Sequence, residues 1–109
     1  MENTRIIYRN RDSSNYKTYH SPVLAGKMTK EQYKEILNCL EDREYFIPAQ
    51  VSLDDTRDWG YDPEVDQPWW ELVGYELTDQ KPTVEYPTVE ELVYLFQAAK
   101  GNWNEQEIF

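Results

Sequence analysis

Residues 88–103, TVEELVYLFQAAKGNW, contain the signals that begin, fill and end an amphipathic helix. Thr88 precedes Glu91 by three residues, the spacing of a capping box, in which each side chain accepts a hydrogen bond from the other residue's backbone N–H. Gly101 follows as a residue suited to the left-handed conformation that ends many helices. The stretch therefore predicts a helix whose buried face is formed by Leu92, Leu95, Phe96 and Ala99.

Residues 28–42, MTKEQYKEILNCLED, repeat this pattern. Thr29 and Gln32 have the capping-box spacing. An apolar stripe follows at i, i+3, i+4 and i+7, formed by Tyr33, Ile36, Leu37 and Leu40. Cys39 lies beside this stripe, where we expect a small buried side chain rather than a reactive thiol.

Four further segments have the composition of β-strands: residues 4–10, 16–24, 45–53 and 69–77. The second is interrupted near Pro22, the third alternates with period two, and the fourth lacks a clean polar face, which favours cover on both sides. The order β-β-α-β-β-α predicts an α+β fold, with a small antiparallel or mixed sheet and both helices on one face. We expect one domain over residues 1–109, with a frayed tail at 104–109.

The cysteine content and the apolar runs favour a cytoplasmic protein. Cys39 is the one cysteine, so no internal disulfide forms. The first residues lack the apolar stretch of a secretory signal, and no apolar run approaches the length of about 18 residues that spans a bilayer.

The formal net charge of −10 is distributed unevenly. Residues 1–40 contain seven Lys and Arg against four Asp and Glu, whereas residues 41–109 contain four against seventeen. Such a surface repels nucleic acid and anionic membranes, since both are bound through Lys and Arg. Its natural electrostatic partner is a basic protein surface. The open alternative is that the charge serves only solubility.

The stretch LDDTRDWGYDPEVDQPWWEL, residues 53–72, contains seven carboxylates, one arginine and three tryptophans. An aromatic anchor ringed by carboxylates is suited to contact with an arginine-rich surface. The candidate partner-binding residues are Asp54, Asp55, Asp58, Trp59, Asp62, Glu64, Asp66 and Trp69. The alternative is that Trp59 folds back and pins a long solvated loop.

The same stretch fits a calcium loop poorly. A loop that starts at Asp55 places Gly60 at its sixth position, as an EF-hand requires. Arg57 and Trp59 then occupy ligand positions but supply no side-chain oxygen. We therefore predict no metal, no other cofactor and no tight calcium binding, which titration calorimetry would test.

Catalytic signals are few, so the sequence favours a protein that is not an enzyme. His20 is the one histidine, it lies in a strand-like segment, and no acidic residue stands beside it. The chain contains four glycines and no phosphate-binding loop, no paired CxxC motif and no HExxH motif.

The run SNYKTYHSPVLAGKMTKEQYKEILNCLEDREYFIPAQVSL, followed by WWEL and LTDQKPTVEYPTVEELVYLFQAAKGNW, resembles small acidic proteins carried on bacterial conjugative elements and prophages. The likeness covers residues 14–104, and its landmarks are FIPAQVSL, WEL and AAKGNW. None of these is a catalytic motif, so the resemblance assigns no functional residue. Residues 54–68 are the part that departs most from it.

The resemblance implies an accessory protein of a mobile genetic element. Together with the acidity, it leads us to expect a protein-binding module that contacts a basic host surface. The sharper form of this expectation is an inhibitor of a host nucleic-acid-binding defence protein, of anti-CRISPR or anti-restriction type, that imitates DNA. The alternatives are a small structural domain whose acidity serves only solubility, and a weak calcium-binding module.

Overall fold

The computed structural model describes residues 2–11, 17–53, 69–82 and 85–103. Its strands, in chain order, are β1 (Asn3–Arg11), β2 (Lys17–His20), β3 (Val23–Leu24), β4 (Tyr45–Phe46) and β5 (Trp70–Thr78). Its α-helices are α1 (Lys30–Cys39), between β3 and β4, and α2 (Val89–Ala99), after β5. A short 3₁₀ helix (Pro48–Val51) follows β4.

The described strands form an antiparallel sheet in the order β2-β1-β5-β4, and β3 also pairs with β1. β1 is the central strand, with β5 on one side and β2 and β3 on the other. The register between β1 and β5 shifts between Ile7 and Tyr8, which leaves Val73 as an extra residue in β5. The predicted α+β class, a small antiparallel sheet with two helices, is confirmed.

Alternation along β1 separates the core from a polar surface. The even-numbered residues Thr4, Ile6, Tyr8 and Asn10 are buried, and the odd-numbered Arg5, Ile7 and Arg9 are half-buried. Ile6 and Tyr8 belong to a hydrophobic cluster that also contains Ile36 of α1 and Phe96 of α2. On the odd-numbered side, Arg5 and Arg9 form ion pairs with β5. Arg5 pairs with Glu76, and Arg9 pairs with Glu71.

Both predicted capping boxes are present. The Thr29 hydroxyl accepts a hydrogen bond from the Gln32 N–H at 3.1 Å, and the Thr29 N–H donates to Gln32 Oε1 at 2.9 Å. Thr88 and Glu91 exchange the equivalent bonds at 3.1 and 3.0 Å. Beyond α2, Gly101 has φ +75°, the left-handed conformation that glycine adopts most easily.

Each predicted stripe contains both buried and half-buried residues. Leu92, Phe96 and Ala99 of α2 are buried as expected, and Leu95 is half-buried. In α1, Ile36 is fully buried, but Leu37 is only half-buried at the edge of the core cluster. Leu37, predicted in the stripe, is therefore a peripheral core residue.

The predicted strand over residues 45–53 is largely wrong. Pairing with β5 ends at Phe46, and Pro48 begins the 3₁₀ helix, because proline lacks the N–H that a continuing ladder needs. The alternating residues do not share one environment, since Ala49 is exposed whereas Ile47 and Val51 are fully buried. The predicted strand over 16–24 is two strands, β2 and β3, that flank Ser21 and Pro22.

The expected cover on both sides of residues 69–77 is also wrong at the far end of β5. Val73 is 46% exposed and Leu77 is 38% exposed. The predicted tail at 104–109 lies outside the described residues.

Candidate partner-binding surface

Most of the predicted partner-binding residues lie outside the described part of the chain. These are Asp54, Asp55, Asp58, Trp59, Asp62, Glu64 and Asp66. The predictions of a ring of acids around Trp59 and of no tight calcium binding therefore stay predictions. Within the described residues, no three His, Cys, Asp or Glu side chains come together in a way that would hold a metal ion.

Trp69 is described, and it links the surface to the core through a chain of rings. Its half-buried ring meets Trp103 edge-on, with centroids 6.4 Å apart, and Trp103 meets Phe96 at 6.0 Å. Trp103 is itself held by a hydrogen bond from its Nε1–H to the Cys39 carbonyl at 3.1 Å. The neighbouring Trp70 is a fully buried core residue.

A tight turn between α1 and β4 lies beside Trp69. Glu41 and Tyr45 exchange backbone hydrogen bonds at 2.8 and 2.9 Å, and the Glu44 N–H donates to the Glu41 carbonyl at 3.0 Å. Asp42 and Arg43, the two central residues, have φ values of 53° and 60°. Two consecutive left-handed residues match a type I′ hairpin turn, which usually contains Asn, Asp or Gly because other side chains crowd the backbone there.

Carboxylates and rings meet at this turn in a surface pocket of about 330 Å³, lined by Glu41, Asp42, Tyr45 and Trp69. We call it the Trp69 pocket. Within the described residues, neither the Glu41 nor the Asp42 carboxylate takes part in an ion pair. A guanidinium group fits such a site, because it pairs with carboxylates and stacks on aromatic faces.

A second pocket of similar composition lies at the start of α2. Its volume is about 650 Å³, and it is lined by Ser52, Glu85, Tyr86, Pro87, Glu90, Glu91, Tyr94 and Leu95. We call it the Tyr94 pocket, after a ring that is 70% exposed. Glu91 already serves the helix here, since the Thr88 backbone N–H and then the Thr88 side chain hold the pKa of its carboxyl below its usual range.

Backbone strain is concentrated at these two pockets. The described residues include three non-glycine residues with positive φ, namely Asp42, Arg43 and Ser52. Asp42 lines the Trp69 pocket, Arg43 follows it in the turn, and Ser52 lines the Tyr94 pocket. Left-handed conformations in non-glycine residues are costly and are found disproportionately at functional sites.

In the described part of the chain, His20 lies among aromatic rings and Cys39 lies in the core. The His20 ring lies 5.6 Å from the ring of Tyr8 and 5.1 Å from that of Trp70, so it completes an aromatic cluster. Cys39 is buried, and its burial raises the pKa of the thiol. A nucleophilic cysteine needs the opposite shift, toward the thiolate.

Sequence reasoning missed most residues of both pockets. Glu41, Asp42 and Tyr45 stand 24 or more positions from Trp69 and reach it only because β4 pairs with β5. One signal was present at the second pocket, because Tyr94 falls off the apolar stripe of α2 and an aromatic ring there must face outward.

No family model, curated protein or solved structure matches this chain. No helix among the described residues has both the length and the apolar character that crossing a membrane requires.

Proposed function

We propose that this protein is a non-enzymatic binding module that contacts a basic protein surface through the Trp69 pocket. The observation that carries the proposal is the pairing of two carboxylates, Glu41 and Asp42, with the rings of Tyr45 and Trp69 around one opening. An Arg or Lys side chain inserted there would meet both an opposite charge and an aromatic face.

Charge across the whole chain supports the same class of partner. The formal net charge is −10, and two of the N-terminal basic residues, Arg5 and Arg9, are paired with the chain's own Glu76 and Glu71. These pairs neutralise acids within the sheet, whereas the acids of the turn stay available. The excess charge would therefore accelerate encounter with a basic partner, and the pocket would provide the contact.

The placement of both helices on one face of the sheet belongs to this proposal. Contacts between the rings of Tyr33 and Tyr75, with centroids 4.8 Å apart, and of Phe46 and Phe96, at 5.4 Å, support it. With the helices so placed, the turn after α1 projects at the end of the sheet where a partner would reach it.

The resemblance to acidic proteins of mobile elements suggests which basic protein is contacted. We propose a host protein that itself binds nucleic acid, so that occupying its basic surface would inhibit it. The site of action would then be the cytoplasm, where such proteins work. The alternative of acidity for solubility alone is retained as an outcome of the experiment.

Capture of proteins from a bacterial lysate, with two matched double variants, tests the proposal. Glu41→Gln with Asp42→Asn removes two charges from the Trp69 pocket, and Asn keeps the turn because it tolerates the left-handed conformation. Glu85→Gln with Glu90→Gln removes two charges from the Tyr94 pocket and serves as the control for net charge.

We expect the unmodified chain and the control to retain the same basic protein at about 0.1 M salt and to release it near 1 M, because screening shortens the Debye length. The Glu41→Gln, Asp42→Asn variant should retain much less. Equal retention of the basic protein by all three chains would support the alternative that the acidity serves only solubility. Equal loss of retention in both variants would mean that net charge, and not the Trp69 pocket, governs binding.

A further inference from the structure

The outer edge of β5 is open along most of its length in the described part of the chain. β1 pairs with β5 from Glu71 to Thr78, but β4 pairs on the other side only with Trp70 and Glu71. One further backbone bond, from the Leu72 N–H to the Glu44 carbonyl at 3.2 Å, extends that contact. Beyond it, Val73–Thr78 has β1 as its one partner strand among the described residues.

This edge is also apolar, and although β5 has a bulge at Val73, it lacks the lysine, arginine and proline residues that often keep strand edges apart. Four large hydrophobic side chains are exposed among the described residues, and two of them, Val73 and Leu77, are in this half of β5. β5, with the sequence WELVGYELT, contains no lysine, arginine or proline. Natural proteins use such residues to prevent pairing between exposed edges, so their absence favours the addition of another strand.

We infer that β5 of one copy pairs antiparallel with β5 of a second copy, about a two-fold axis at Tyr75. In this register Val73 lies opposite Leu77 of the other copy, so each exposed apolar side chain meets another. Glu76 lies opposite Gly74, which avoids direct opposition of like charges. The interface is isologous, as in most homodimers, and it joins two five-stranded sheets into one of ten strands.

Neighbouring registers are less favourable. A two-fold axis at Glu76 would place two Glu76 carboxylates directly opposite each other, which destabilises a strand pair. An axis at Gly74 would place Leu77 opposite Glu71 and leave the apolar side chain without an apolar partner. The axis at Tyr75 is therefore the register that this sequence favours.

Charge sets the conditions under which this dimer forms. Each copy has a formal net charge of −10, so two copies repel each other at low ionic strength. Salt screens that repulsion, so the two negatively charged copies approach each other more easily at high ionic strength. Self-association should therefore strengthen with salt, whereas binding of a basic partner should weaken. The dimer does not depend on the proposed function, and the two are distinguished by this opposite response.

Analytical ultracentrifugation from about 1 µM to about 1 mM protein, at about 0.1 M and 1 M NaCl, tests the proposal. We expect a monomer–dimer equilibrium that shifts toward dimer at the higher salt. Val73→Lys should weaken the dimer by roughly 100-fold, since each of the two copies loses an apolar contact worth about tenfold. Tyr94→Lys adds the same charge to an exposed ring away from the edge, so it should weaken the dimer far less.

A monomer at every concentration and salt would overturn the proposal, as would equal weakening by the two lysine variants. A chain that stays monomeric, but whose Val73→Lys variant loses a captured basic protein, would also overturn it and would assign the edge to a partner strand.

Disulfide trapping tests the register independently of affinity. A chain with Val73→Cys, mixed with a chain with Leu77→Cys, should form a disulfide-linked dimer on oxidation, because the two positions are opposite. Either variant alone should not, since its own cysteines would be about 13 Å apart along the strand direction. The native Cys39 is 4% exposed and serves as an internal control in the unmodified chain. Trapping in each variant alone, with none in the mixture, would contradict the register.

Discussion

The Trp69 and Tyr94 pockets have the same ingredients, glutamate or aspartate side chains around aromatic rings, but the surrounding structure uses those ingredients differently. At the Tyr94 pocket, the Glu91 carboxylate accepts the Thr88 N–H at 3.0 Å and thereby begins α2. At the Trp69 pocket, backbone hydrogen bonds close the turn, and within the described residues neither the Glu41 nor the Asp42 carboxylate takes part in an ion pair or caps a helix. One of the three glutamates of the Tyr94 pocket is therefore committed to the fold, whereas neither acid of the Trp69 pocket has such a role within the described residues.

The rings of the two pockets are also anchored differently. Trp69 is joined to the core through Trp103 and Phe96, with centroid distances of 6.4 and 6.0 Å. Tyr94 stands on the outward side of α2 and is 70% exposed. A preorganised ring loses less freedom on binding, which favours the Trp69 pocket as the contact point.

The largest loss of stability should follow removal of the Phe96 ring, which joins Trp103 and Trp69 to the core. Phe96 is fully buried in the core, with 0% exposure. Phe96→Ala should therefore lower the unfolding free energy by about 3–5 kcal/mol. Leu37→Ala, at a half-buried position, should cost less, about 1–2 kcal/mol. Urea denaturation measures both. Equal losses of unfolding free energy in the two variants would mean that Phe96 contributes no more to the core than the half-buried Leu37.

A smaller difference should separate the pocket rings themselves. Trp69→Ala should lower the unfolding free energy by about 1–3 kcal/mol, because the half-buried ring loses its contact with Trp103. Tyr94→Ala should change it by less than about 0.5 kcal/mol, as is usual at exposed positions. Thermal and urea unfolding test the pair. A larger loss for Tyr94→Ala would reverse the assignment of the anchored pocket.

Relief of strain in the turn should have a smaller effect, of opposite sign. Arg43 has φ 60°, so Arg43→Gly removes a left-handed side chain and should stabilise the fold by about 0.5 kcal/mol, after the entropy of glycine in the unfolded chain is subtracted. Arg43→Ala removes the same charge but keeps the strain, and it should give no gain. Equal effects of the two substitutions would show that charge, not conformation, governs this position.

Acid should expose the structural duty of Glu91. A carboxyl whose pKa is lowered in the fold stabilises it above the unfolded pKa of about 4.3, and this contribution is lost as pH falls through the lowered value. Glu91→Gln should therefore be less stable than the unmodified chain near neutral pH, and the gap should narrow below about pH 4. Glu90→Gln, in the same turn, is the control. A gap that stays constant with pH would remove Glu91 from the capping role.

Local signals predicted the elements whose stability is local. The capping boxes of Thr29 with Gln32 and of Thr88 with Glu91 are predictable from the sequence, because a capping box depends on residues three positions apart. The strand over residues 45–53 was not, because alternation continued past Pro48 while the backbone could not continue its ladder. An alternating sequence pattern indicates which side chains could share a face, but it does not show whether the backbone can form the hydrogen bonds of a strand.

The candidate site was predicted only through Trp69. Its other walls come from Glu41, Asp42 and Tyr45, which the antiparallel pairing of β4 with β5 brings to it. Such proximity depends on strand order, which composition and periodicity do not specify. The density of acids in residues 54–68 is visible in the sequence, whereas the two acids of the turn, Glu41 and Asp42, are distinguished only by their position in the fold.

The central claim is that the Trp69 pocket binds a basic group, and an NMR titration with a short arginine-rich peptide tests it most directly. The chain has four tryptophans, so their indole N–H signals are few, and Trp69→Phe identifies the relevant one. The account predicts that the Trp69 indole signal shifts and saturates with peptide, and that the shift weakens at high salt and in the Glu41→Gln, Asp42→Asn variant. Ring signals of Tyr94 should move little. A Trp69 signal that does not move while the Tyr94 signals do, or a shift unchanged in that double variant, would contradict the claim.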